Sequence, residues 1–120
     1  MMKRMIMAAA ALTWMGQGAA FAHAYPQKES PPKGATVTTA PTGLWIEFDD
    51  ELEPHFTGVT VTNAHGARVD EGHAKVSATD PHHLSVGLKP LAPGTYTVHW
   101  HATDTDTHKT HGSYSFTVAK

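Results

Sequence analysis

Two stretches near the C-terminal end of this 120-residue chain alternate apolar and polar side chains without a break. Tyr96, Val98 and Trp100 alternate with Thr97, His99 and His101, and Tyr114, Phe116 and Val118 alternate with Ser113, Ser115 and Thr117. Successive side chains of an extended strand point to opposite faces, so this period buries one face and wets the other. Both stretches are expected to be half-buried strands. The polar run from Asp104 to Gly112 between them is then a loop at one end of a sheet, where binding groups are commonly presented.

The rest of the chain carries the same kind of signal. Pro26, Pro31 and Pro32 disfavour helix, which makes the segment His23 to Lys33 an extended lead-in. A short strand is expected over Ala35 to Thr39. After the turn signal Pro41-Thr42-Gly43, Leu44, Ile46 and Phe48 alternate with Trp45, Glu47 and Asp49. An acidic connection, Asp50 to His55, leads to Val59 and Val61, and shorter strands are expected at His73 to Ala78 and Leu84 to Leu88. About seven short strands separated by turns, with no helical pattern, predict an all-β chain: an immunoglobulin-like (Greek-key) antiparallel β-sandwich. The expected core is Leu44, Ile46, Phe48, Val59, Val61, Leu84, Val86, Leu88, Tyr96, Val98, Trp100, Tyr114, Phe116 and Val118.

Residues 1–22 read as a secretory signal. Lys3 and Arg4 precede an apolar run from Met5 to Met15, and Ala20-Phe21-Ala22 supplies small residues for cleavage. The run has about eleven residues, against the roughly twenty that span a bilayer, so a cleaved signal and no membrane span afterwards are expected. Cleavage after Ala22 would leave one secreted domain, residues 23–120, although Gly18 and Ala20 also permit cleavage after Ala20. All five methionines lie in the signal and the chain has no cysteine, so the mature domain has neither a disulfide nor a soft sulfur ligand. All ten histidines remain. With Lys3 and Arg4 gone, seven basic residues face eleven acidic ones, a net charge of −4 with histidine neutral. That balance argues against a nucleic-acid partner.

Cleavage after Ala22 would also make His23 the N-terminal residue, with a free amine and an imidazole nitrogen that can chelate one metal ion. Asp106 and His108 lie two apart, so in an extended segment both side chains share one side. Three nitrogens and one oxygen suit Cu(II), which stands highest in the divalent affinity order. Asp104 lacks the two-residue spacing to His108 and is expected to matter little.

At this point the sequence resembles the CopC family of periplasmic copper-resistance proteins. The resemblance covers essentially the whole mature chain. It is carried by His23 after a signal, Pro32 to Ala35, Phe48 to Phe56, Gly58-Val59-Thr60-Val61, Leu91-Ala92-Pro93-Gly94-Thr95-Tyr96, Trp100, and Asp106-Thr107-His108 followed by Gly112 and Phe116. It implies a Greek-key β-sandwich that binds one Cu(II) per mature chain through His23, Asp106 and His108. It further implies a non-enzymatic role in copper homeostasis or resistance. The partners would be copper itself and an inner-membrane copper transporter or another periplasmic copper protein. Some members carry a second, Cu(I) site on a methionine-rich loop, which a chain without mature methionine lacks.

Two other readings compete. An N-terminal histidine and a second histidine on copper also resemble the histidine brace of lytic polysaccharide monooxygenases. Against that, Asp106 would fill a position that oxygen chemistry needs open, and the small mature domain leaves little surface for a polysaccharide. A metal-free structural sandwich is the third reading. Among the remaining histidines, His111 lies three residues from His108 and is a candidate hydrogen-bond partner or alternative ligand. His99 and His101 share one strand face and could form a weak auxiliary site. His55, His65, His73, His82 and His83 read as solvated residues of turns and connections.

Overall fold

The structure, a computed structural model, describes residues 23–120. The expected signal segment, residues 1–22, lies outside the described residues. Eight strands run in chain order: β1 (Pro26–Ser30), β2 (Thr36–Val37), β3 (Gly43–Phe48), β4 (Gly58–Thr62), β5 (Lys75–Val76), β6 (His83–Gly87), β7 (Gly94–Thr103) and β8 (Lys109–Val118). A 3-10 turn, Pro54–Phe56, precedes β4. The strands form two four-stranded sheets, ordered β1-β3-β6-β5 and β2-β8-β7-β4. Their apolar faces pack together, as the alternation requires. The sandwich fold expected from the sequence is therefore present.

All fourteen residues expected in the core are buried, and Ala24, Leu52, Leu91 and Ala102 join them. A period-two pattern identifies inward positions well because a one-residue slip would turn every apolar group to solvent. The Tyr96 hydroxyl donates to the carbonyl of Ala92, four residues back. This closure, the tyrosine corner of such sandwiches, anchors the entry into β7.

Three details differ from the sequence reading. First, the lead-in is itself a strand: β1 pairs antiparallel with β3, giving eight strands rather than seven. Its proline, Pro26, opens an edge strand, where a missing N–H costs no ladder bond. Second, one pair is parallel, β2 beside β8. Third, β7 and β8 pair from Gly94↔Val118 to Thr103↔Lys109, which shortens the loop between them to residues 104–108. Thr110 and Gly112 continue the inward positions of β8, so His111 belongs to a strand and not to the loop.

Candidate metal centre

The N-terminal arm is pinned at one end of the sandwich. Ala24 is fully buried, and its carbonyl accepts a hydrogen bond from Thr110 Oγ1 at 2.6 Å. The Tyr25 amide donates to Asp49 Oδ1 at 2.8 Å, and the Asp49 amide returns a bond to the Tyr25 carbonyl at 2.9 Å. Tyr25 meets Trp100 edge-on at 6.5 Å between ring centroids, and Trp100 meets Phe48 in the same way at 5.4 Å. Fixed between these contacts, His23 lies with its ring centroid 4.6 Å from that of His108, the planes tilted by 59°.

The loop that carries His108 is built around Asp104. This carboxylate is 1 % exposed, and its backbone bridges to Leu52. Asp104 Oδ1 accepts the amides of Asp106 at 2.8 Å and His108 at 3.0 Å. The Asp104 carbonyl accepts from the Thr107 amide at 3.0 Å, and the Asp104 amide donates to the His108 carbonyl at 3.0 Å. Thr107 completes the turn in the left-handed region, at φ 69°. An aspartate holding amides two and four residues on is a strong turn former.

Burial alone would push the Asp104 carboxyl up, but the amides of His108 and Asp106 and the His108 ring outweigh it and hold it below the ordinary carboxylate range. Asp104 is therefore an anion that can only accept. Its Oδ2 lies 3.2 Å from His108 Nδ1, which assigns the ring proton to Nδ1 and leaves the Nε2 lone pair free for a metal. A carboxylate that orients a ligating imidazole through its other nitrogen is the usual support of metal-binding histidines.

Ligand atoms of His23, Asp104 and His108 all lie within 4.8 Å of one another. Two imidazoles and a carboxylate make a donor set for a borderline divalent cation. The structure thus brings His23 and His108 together, as expected, but the carboxylate between them is Asp104 rather than Asp106. The same-side rule behind Asp106 holds for extended backbone, whereas residues 104–107 turn about the Asp104 side chain. Asp106 sits exposed on the outer lip of that turn. The same spacing rule also overlooks the buried, loop-organising place of Asp104. Its turn-forming position was visible in the sequence, four residues before His108, but its burial was not.

The other histidines lie elsewhere. His111 is exposed on β8, opposite His101, and does not join the cluster. His101 lies over Gly58, and shares a cleft with His55. His99 Nε2 is 3.3 Å from Thr62 Oγ1. His83 departs from the solvated reading: it is half-buried and contacts Glu47 and Trp45.

The chain is similar to known proteins over this whole region. A family model described as the CopC domain matches residues 27–119. The protein YobA of Escherichia coli K12 is 37% identical over 99 residues, covering 82% of this chain and 80% of the relative. Copper resistance protein C of Xanthomonas campestris pv. juglandis is 35% identical over 119 residues, covering 94% and 91%. The crystal structure of CopC from Methylosinus trichosporium OB3b superposes with a TM-score of 0.76 at 30% identity, covering 81% of this chain and 94% of that one. With the family domain spanning nearly all of the described residues and the sandwich shared, this chain belongs to the CopC family.

Proposed function

We propose that the protein binds one Cu(II) ion in the periplasm, to sequester it or pass it to a transporter or another copper protein, and performs no catalysis. The observation that carries this reading is the pairing of His23 and His108 on a loop whose buried carboxylate presents His108 Nε2. His23 would add its α-amine once the signal is removed after Ala22, and binding would displace the proton of that amine. Asp106, on the exposed lip, would supply the oxygen, while Asp104 holds His108 from behind. Both Asp104 oxygens already accept N–H groups, so using one as a ligand would break part of the turn. The proximity of Asp104 to both histidines nonetheless favours a second reading, in which Asp104 itself is the oxygen donor.

Copper is the cargo here, and its selection follows from the donors. Nitrogen and oxygen atoms suit Cu(II), and a mature chain without methionine or cysteine offers Cu(I) no sulfur. The test is a competition titration of the secreted protein against the same protein with one residue added before His23. The extension should lower Cu(II) affinity at least tenfold, because the amine chelate is lost. Equal affinities would remove His23 from the site.

A further inference from the structure

A second group of metal-ligating side chains lies on the outer face of the other sheet. Glu47 of β3 and His83 of β6 are register partners. Both stand on the face away from the core, since Ile46, Phe48 and Leu84 point inward. His83 Nδ1 is 3.3 Å from Glu47 Oε2. Asp80 reaches the same point from the turn before β6. Ligand atoms of Glu47, Asp80 and His83 lie within 4.8 Å of one another, and all three side chains are half-buried.

We propose that Glu47, Asp80 and His83 form a second divalent-cation site, independent of the copper centre, that takes a borderline ion such as Zn(II). The backbone organises it before any ion arrives. The Asp80 amide donates to Ser77 Oγ at 3.2 Å, Asp80 Oδ1 accepts the His82 amide at 3.1 Å, and the His83 amide donates to the Asp80 carbonyl at 3.0 Å. His82 Nδ1 is tied to the Phe48 carbonyl at 3.1 Å, which anchors the turn to β3. Trp45 stacks on His83 with centroids 5.5 Å apart and planes 27° apart. The indole covers a face of the imidazole and leaves the nitrogens at its edge available.

Electrostatics favours an occupant. Two carboxylates converging on one point concentrate negative charge and oxygen donors there. A divalent cation is attracted to such a point, and in a half-buried place that attraction is screened less than on an open surface. One nitrogen and two oxygens leave a coordination position for water, an arrangement common in open zinc sites.

The test is titration of the secreted protein with Zn(II), followed by amide and imidazole nuclear magnetic resonance. Saturable shifts should appear at Glu47, Asp80, His82 and His83, and they should persist in His108→Ala, which disables the copper centre. Glu47→Gln and Asp80→Asn keep acceptors for the local hydrogen bonds while removing one charge each. Each should weaken Zn(II) binding at these residues at least tenfold. Signals at 80–83 that stay unmoved by Zn(II), or shifts of undiminished affinity in both variants, would overturn the site and leave Glu47 and His83 as a simple cross-strand hydrogen-bonded pair. Because the signals are assigned to individual residues, failure here would leave the copper reading standing.

Discussion

Asp104 and Asp106 are the same residue type two positions apart, yet the fold gives them different tasks. Asp104 is buried, holds the amides of Asp106 and His108, and fixes the tautomer of His108. In Asp104→Asn an amide N–H can face His108 Nδ1, which moves the ring proton to Nε2 and blocks the metal-binding lone pair. This variant should lose about 10–100-fold in Cu(II) affinity, the usual range for groups that support a metal ligand. Asp106→Asn should lower affinity and alter the electron paramagnetic resonance spectrum while leaving the loop intact. His108→Ala should cost more than either, since it removes a nitrogen donor. An unchanged spectrum in Asp106→Asn, with a changed one in Asp104→Asn, would transfer the oxygen-donor role to Asp104.

The β7–β8 pair sets the position of the site, and one glycine sets how closely that pair packs. Gly112 lies opposite Trp100 in register, and a Cβ added there would meet the indole Cζ2 at 2.7 Å. Trp100 in turn backs Tyr25 and so the arm bearing His23. Gly112→Ala would have to displace a buried ring, and overpacking of this kind costs about 1–3 kcal/mol. Urea unfolding should show that loss, and copper titration should show weaker binding as the arm shifts. Unaltered values for both would mean that the indole moves aside freely. The pairing also explains why His111 leaves the site. With β8 beginning at Lys109, inward Thr110 and Gly112 force His111 to the outer face.

For the molecule as a whole, apolar packing between the sheets supplies the stability, with no disulfide among its 120 residues. The proposed copper centre would sit at one end of this core, outside the packing between the sheets. Removing copper with a chelator should therefore leave a cooperatively unfolding sandwich with unchanged circular dichroism. Its unfolding free energy should fall only by the linkage term, about 2.7 kcal/mol when free copper is at 100 times Kd, and its melting temperature only accordingly. Loss of the folded signal on chelation would make the metal structural.

An ion pair between β4 and β5, in which Asp70 is buried and Arg68 is exposed, should add to the acid sensitivity of the molecule. Asp70, 3 % exposed, accepts from Arg68 Nε and Nη2 at 2.7 Å each, and from the amides of Val61 and Gly72 at 2.9 Å. The Arg68 bonds foremost hold its carboxyl far below the ordinary range. Because the folded value is the lower one, its stabilisation is complete above the unfolded value of about 3.9 and is lost as pH falls below it. Asp70→Asn should reduce stability at neutral pH by about 1–3 kcal/mol and flatten the acid limb of the unfolding curve. A limb as steep as the parent's would place the acid sensitivity elsewhere.

Fold class and core were legible in the sequence because period-two alternation is a local property: Tyr96, Val98 and Trp100 face inward whatever they meet. His23 and His108 stood out in the sequence as candidate ligands because their residue types and chain positions suit a metal, and the fold brings their rings together. What lay beyond local reasoning was contact between distant segments. The Thr110–Ala24 bond that seats His23 joins residues 86 apart. The meeting of Glu47, Asp80 and His83 depends on the register of β3 against β6. That Asp104, and not Asp106, is the buried carboxylate beside the two histidines is something two identical side chains in one polar loop do not reveal. Side-chain chemistry is written residue by residue, but which groups share a point in space is settled only when the sheets pair and close.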